Sequence, residues 1–419
     1  MILLALLFSS RVLAADAVDP STLDRKVLIG YQGWFTCPQD GSNRWTHWSR
    51  GVPTPETLTV EMYPDVSELD SDERCEVPGM TIGGKPAHLF SSRNAKTVAR
   101  HFSWMRDYGL DGVLVQRFVG SIRGARAGGD VVLKNVMAAA KESGRTFAIE
   151  YDISGGKPDT FAQTIKEDWM YLAGELKVAA HPNYQRHNGK PVVSIWGMGL
   201  SDGAAHPPAD AQEAKNLIAW FNSRATYMGG TPSRWGTLTR DSRTDPAWAE
   251  AYAAMDVVQP WNVGRYGTLK GVDKWKEDVL APDLKLAAKN GQLYMPVIFP
   301  GFSWSNLKKG SKVNQIPRLR GEFLWRQAYN AKMAGAKMIK IAMFDEVDEG
   351  TAIFKVVSKR GQAPDQGFWL TLDADDADLP SDWYLRLAGD ITKMFHEVLK
   401  PNPKLPDSPS TRGSETHEH

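Results

Sequence analysis

Residues 345–351 read Asp-Glu-Val-Asp-Glu-Gly-Thr and follow an apolar run, 338–344, with the composition of a buried strand. Four carboxylates, Asp345, Glu346, Asp348 and Glu349, therefore stand within five residues at a strand end. A core strand carries such groups into the mouth of a fold rather than out to bulk water. Crowded carboxylates repel and desolvate one another, which drives their pKa values apart. One can then hold a proton as an acid while another stays ionised as a base. Glu346 and Glu349 are three residues apart, and on a helical turn their Cβ atoms would lie about 5–6 Å from each other. That separation suits two carboxylates acting on one glycosidic bond with retention of configuration. Acids favoured at a helix N-terminus are a second reading of the segment. A calcium loop is a third, but the D-x-[DN]-x-[DN]-G spacing is not met.

Other residue types point toward a saccharide. Trp34, Trp48, Trp261, Tyr266 and Trp304 each fall in or just after an apolar run, where an aromatic face either stacks on a sugar or fills the core. Glu150 and Asp152 close the third run, Glu150 as a substrate ligand or as a partner for Arg117. Arg117 ends the second run and Arg265 follows the sixth. Guanidinium groups there would admit a sugar carrying carboxylate or sulfate, or would bridge the acids. His47 is either a site residue or a satisfied loop histidine. Two motifs are decoys. Gly199-Leu200-Ser201-Asp202-Gly203 has the spacing of a nucleophile elbow, but Pro207 and Pro208 break the helix that must follow. The glycines of 120–129 lack phosphate-loop spacing and read as a flexible βα-loop.

Eight apolar runs can position these groups: 27–35, 112–118, 146–152, 191–196, 234–238, 256–261, 294–300 and 338–344. Amphipathic stretches separate them at 95–108, 131–142, 159–178, 210–224, 246–254, 273–289 and 319–334. Gly109, Gly144 and Gly335 stand where helices should end. Strand and helix alternating eight times predict an α/β fold, a single (β/α)₈ TIM barrel; an open doubly wound sheet is the alternative. Long connections after strands 1 and 8, 36–94 and 350–382, leave the carboxyl ends of strands, where barrel enzymes build their sites. The domain is expected to span 20–399, and a last helix is expected at 383–399.

The 419 residues carry 50 Lys and Arg against 49 Asp and Glu, a net charge of +1. Nothing in that balance draws the chain to nucleic acid or to an anionic membrane. Fifteen tryptophans are the outlying feature of the composition. Residues 1–14 form an apolar run closing on Val12-Leu13-Ala14, read as a cleaved signal peptide, with periplasmic or secreted localisation as the consequence. The mature chain is expected to be free of membrane spans and monomeric. In an exported chain Cys37 and Cys75 are expected to pair; two unpaired thiols are the alternative. No metal-ligand spacing accompanies them, so neither metal nor cofactor is expected. The stretch 400–419 is rich in Pro, Ser, Thr and charge and reads as a disordered tail.

The acidic segment resembles the N-E-W-H-E-G-T run that carries both catalytic glutamates of glycoside hydrolase family 99, the endo-α-1,2-mannosidases and mannanases. Further stretches follow in the same order. Tyr31-Gln32-Gly33-Trp34-Phe35 is similar to the family's Y-x-x-W-Y, Arg44-Trp45-Thr46-His47-Trp48 to its H-W motif, and Glu61-Met62-Tyr63-Pro64 to its Y-Y-P. Ala148-Ile149-Glu150-Tyr151 is similar to its H-x-E-P-Y, and Phe299-Pro300-Gly301 to its G-P-G-Y. The resemblance implies a family 71/99-like barrel acting on an oligo- or polysaccharide without metal or cofactor. It implies Glu346 as the base that removes a sugar 2-hydroxyl proton, closing a 1,2-anhydro intermediate. It implies Glu349 as the acid and then the base for water. It also brings Tyr31, His47, Trp48 and Tyr63 forward as substrate contacts. Val347 and Asp348 replace the family's Trp and His, and Asp345 its Asn; two added carboxylates should raise a pKa and change which sugar fits.

Overall fold

The computed structural model describes residues 17–203 and 206–407. The 1–14 stretch and residues 408–419 lie outside the described residues. No helix among the described residues is long and apolar enough to cross a membrane.

Parallel strands form a TIM-like barrel: β1 (Val27–Tyr31), β2 (Gly112–Phe118), β3 (Thr146–Asp152), β4 (Lys190–Trp196), β5 (Thr226–Thr231), β6 (Val257–Pro260), β7 and β8 (Ile339–Ile341). Strand β7 is in two pieces, Leu293–Tyr294 and Val297–Ile298. The first pairs with β6 and the second with β8. The Met295 N–H donates to Val258 at 2.9 Å and the Lys340 N–H donates to the Pro296 carbonyl at 2.9 Å. This break, with Pro296 unable to donate to a ladder, carries the sheet from β6 round to β8, and β8 returns to β1. Strands such as β1 and β5 are buried at every position, as parallel strands covered on both faces must be.

The fifth strand is Thr226–Thr231, not 234–238, which forms turns. Its sequence hides it, because Gly229 and Gly230 read as a turn. The packing explains them: a Cβ on Gly229 would lie 2.0 Å from the Met255 sulfur, and one on Gly230 would lie 2.6 Å from Trp196 Cα. Close approach of neighbours, not a bend, requires glycine there. A second correction concerns 120–129, which is no loop. It belongs to the helix Val119–Ser143, which is kinked at Ala125 (φ −135°, ψ 19°).

The other helices start and stop on recognisable chemistry. Asn94 caps Ala95–Asp107, Asp210 caps Ala211–Asn222 and Thr268 caps Leu269–Trp275, each side chain accepting an N–H of the first turn. Gly109, Gly144 and Gly335 adopt positive φ at helix ends. The last helix, Trp383–Phe395, presses on the chain at Tyr108, where a Cβ on Gly389 would lie 2.3 Å from the Tyr108 carbonyl. Beyond it, residues 400–407 have no helix or strand, yet Trp325 donates to the Asn402 carbonyl at 2.9 Å and Leu405 packs on the core.

The connection after β1 holds an antiparallel hairpin, Arg74–Ile82 with Lys85–Phe90. A disulfide joins Cys37 to Cys75, Cα atoms 6.4 Å apart, and ties the hairpin to the segment that follows β1.

Candidate active site

The acidic segment leaves β8 as a turn, not as the start of a helix: residues 347–350 are turn and the chain stays irregular beyond them. The helix N-terminus reading of these acids therefore fails. The Glu346 carbonyl accepts from Thr351 and Ala352 N–H at 3.1 and 3.0 Å, which closes the turn. Three other segments clamp it. Glu61 and Met62 N–H donate to the Val347 carbonyl at 2.8 and 3.1 Å, and Ser303 N–H donates to the Glu349 carbonyl at 2.9 Å. Arg318 Nη2 donates to the Gly350 and Ala352 carbonyls at 2.8 and 2.7 Å. Gly350 has φ +63°, and a Cβ there would meet Ser303 backbone at 3.2 Å, so both conformation and space call for glycine.

Within this turn the four acids have different environments. Asp345 is fully buried and accepts the Gln32 and Gly33 N–H groups at 2.8 and 2.9 Å, stapling β8 to the end of β1. Burial pushes its carboxyl up to about 7 against those donors. Glu346 is 5% exposed and accepts Gln32 Nε2 on one oxygen (2.6 Å) and Thr351 Oγ1 on the other (2.7 Å). Burial first, then the charges of Glu349 and Asp348, raise its pKa well above the ordinary range. Glu349 is partly buried, and no side chain hydrogen-bonds its carboxylate among the described residues. Burial and then Asp348 push it up to about 8. Asp348 lies with Oδ2 3.5 Å from His47 Nδ1, while its buried Oδ1 has no hydrogen-bond partner among the described residues. The His47 ring stacks on Trp34, centroids 3.7 Å apart and planes 6° from parallel, and Phe118 covers the other side of Trp34 at 5.2 Å.

The structure thus brings Trp34, His47, Asp345, Glu346, Asp348 and Glu349 together at the carboxyl ends of β1 and β8. Other candidates lie elsewhere in function. Tyr31, Trp48 and Tyr63 are core residues, each buried with its polar atom satisfied: Tyr31 by His101 (3.0 Å), Trp48 by the Phe90 carbonyl (3.0 Å), Tyr63 by His88 backbone. Tyr266 packs against Phe299 and Phe323 and donates to Gln327 at 2.9 Å. Arg117 is held by Asp168 at 2.5 and 2.6 Å and by Asp130 at 2.9 Å. Arg265 is committed to Asp241 at 2.9 Å. Glu150 has no exposed surface; both its oxygens take Lys340 Nζ, at 2.6 and 2.7 Å, inside the barrel. Its partner is therefore Lys340 rather than Arg117, and burial that raises its pKa is opposed by that ammonium. Asp152, partly buried, accepts Ser154 N–H at 2.7 Å. Trp261 and Trp304 are partly buried, with Lys340 and Lys308 ammonium groups 5.4 and 4.8 Å from their ring centroids.

Two contacts of Glu346 were not among the sequence candidates. Gln32 lies inside the Tyr31–Phe35 stretch and Thr351 inside the acidic segment, so both were in view; only their partners were not. Among the described residues one group of three carboxylates has metal-ligating proximity, Asp70, Asp72 and Glu73, and Lys96 and Arg100 already pair with it.

A cavity of about 800 Å³ opens beside the turn, lined by Gln32, Gly33, Trp34 and His47 on one side and by β2 and the kinked helix on the other. Neither Glu346 nor Glu349 is on its wall, but Gln32 touches both the cavity and Glu346.

No family model matches the sequence, and no curated protein matches it. Solved structures do. The GH99 endo-alpha-mannosidase of Bacteroides thetaiotaomicron, in complex with bis-tris-propane, is 18% identical with a TM-score of 0.65, covering 90% of this chain and 99% of that one. A second structure of that enzyme gives the same values. A glycoside hydrolase-like protein is 16% identical with a TM-score of 0.51, covering 82% of this chain and 98% of its own. At such identities the likeness is one of fold: this chain has a barrel like that of the GH99 endo-alpha-mannosidase.

Proposed function

We propose that the chain is an exported glycoside hydrolase that cleaves an α-linked glycan or glycoconjugate with retention, using Glu346 and Glu349. One observation carries the reading: two neighbouring carboxylates at a barrel mouth have no cationic partner among the described residues yet differ in their hydrogen bonds. Glu346 accepts two donors, Gln32 and Thr351, which favour its ionised form. Burial raises both carboxyls, but Glu349 has no such donors among the described residues, so the hydrogen bonds favour Glu346 as the base and leave Glu349 as the acid. Their unequal settings match the roles of base and acid.

In the first step Glu346 takes the proton of the sugar 2-hydroxyl as O2 attacks the anomeric carbon. Glu349 gives its proton to the departing glycosidic oxygen, and a 1,2-anhydro sugar forms. Glu349, now ionised, deprotonates water. The hydroxide attacks the anomeric carbon, the C1–O2 bond breaks, and Glu346 returns its proton to O2. Two inversions give net retention, and Glu346 and Glu349 recover their starting protonation states. Trp34, with His47 on one face and Phe118 on the other, Trp261, Trp304 and Asp152 are proposed substrate contacts; Asp345 and Arg318 position the turn. The fold likeness to a GH99 endo-alpha-mannosidase supports this reading, as does the Cys37–Cys75 bond for export.

The test is proton NMR of the anomeric product during turnover of an α-linked substrate. Initial release of the α-anomer is expected. Initial release of the β-anomer would overturn the two-step scheme, and binding without any product would make the chain a carbohydrate-binding barrel.

A further inference from the structure

We propose that the cavity beside Glu346 is a subsite for an anionic group of the glycan, a carboxylate or a sulfate. This rests on the hydrolase reading above for its link to cleavage, but not for binding itself. The volume of about 800 Å³ is in the range of small-ligand sites, roughly 300–1,000 Å³. Arg44, Arg93, Arg117 and Arg126 line it, and none of its lining residues is Asp or Glu. The carboxylates that pair with these arginines, Asp40, Asp130 and Asp168, are not among the lining residues, so four guanidiniums share three acids.

The arginines differ in what they have left to give. Arg117 is saturated by Asp168 and Asp130 and forms a fixed floor. Arg93 and Arg126 stand 3.8 and 3.9 Å from Asp40 and Asp130, beyond hydrogen-bond distance in both cases. Arg44 is exposed and has no ion pair among the described residues. The helix roof is shaped for these side chains. A Cβ on Gly128 would fall 2.2 Å from Arg93 Nη2, and one on Gly129 would lie 3.5 Å from Arg117 Nη1. Two lining residues also keep buried polar atoms without a hydrogen-bond partner among the described residues, Trp34 Nε1 and Gln32 Oε1. Donors of this kind, and an acceptor for a hydroxyl, are what an acidic sugar needs. Gln32 ties the subsite to chemistry, because its amide nitrogen already holds Glu346.

Isothermal titration of the full chain with three probes tests this: trigalacturonic acid for carboxylate, N-acetylglucosamine 6-sulfate for sulfate, and maltotriose as the neutral control. At least one charged probe should bind about tenfold or more tighter than maltotriose at low salt, and 0.5 M salt should erase the difference. The double variant Arg44→Gln, Arg126→Gln should lose that preference, and the Lys versions of both should restore part of it. Equal binding of all three probes, or a preference untouched by the Gln pair, would overturn the subsite. Selective binding of a charged probe by a protein that cuts no glycan would sink the hydrolase reading alone. Cleavage of neutral glycans with no charge preference would sink the subsite alone.

Discussion

Two sets of buried acids in one barrel are handled in opposite ways. Glu150 lies inside the sheet with Lys340 against both its oxygens and Gln259 accepting from that ammonium at 3.2 Å. At the mouth, Asp345, Glu346 and Asp348 are also buried, and among the described residues the only basic side chain in ion-pair reach of the turn's carboxylates is His47, at 3.5 Å from Asp348. The fold can neutralise a buried carboxylate where structure requires it. Leaving acids unneutralised a few residues further along the same strand raises the pKa values of Asp345 and Glu346 and costs stability, an arrangement that fits the proposed proton transfer.

The contrast breaks most sharply under amide substitution. Glu349→Gln or Glu346→Gln should cut turnover of an α-linked glycan by about 10³–10⁴-fold, roughly 4–5.5 kcal/mol of activation energy, with the fold intact by circular dichroism. Removing one partner of the inner pair should do the reverse. Glu150→Ala or Lys340→Met strands a buried charge and should lower unfolding stability by about 3–5 kcal/mol in urea titration.

Much of this contrast was visible in the amino-acid order. The acidic run after an apolar strand, the alternation of strand and helix apart from the fifth strand, and the glycine helix ends emerge as expected, because burial on both faces and capping chemistry act locally. What was misread depends on distant neighbours. Gly229 and Gly230 admit Met255 and Trp196, which no window around residue 230 reveals. Lys340 is an ordinary lysine in sequence, and only barrel closure brings it to Glu150. Aromatic residues at strand ends divide between mouth and core according to side-chain direction: Trp34 stays partly exposed, whereas Tyr31 and Trp48 turn inward.

pH sharpens the comparison further. Glu349 holds its proton in the folded chain up to about 8, against an ordinary value of 4.5. Its contribution to stability is therefore complete below about pH 4.5 and is lost as pH rises through 8. Activity that needs the protonated acid should fall along an alkaline limb near pH 8. Glu349→Gln, which cannot ionise, should melt on the order of 2 °C above wild type at pH 8.5, with no gain at pH 4.5. The smallest effects belong to the donors on Glu346. Gln32→Ala or Thr351→Val removes one hydrogen bond to the ionised base, so its pKa should rise by about one unit. The acidic limb of the pH–rate profile should move up by the same amount, with a loss of about tenfold below pH 6.

The central claim is that Glu346 and Glu349 act together on one sugar linkage, and release of reducing ends tests it most directly. A panel of neutral and anionic α-linked glycans is incubated with wild type and with Glu349→Gln under identical conditions. The account predicts product from at least one glycan with wild type and none above background with the variant. Equal release by both proteins would contradict it.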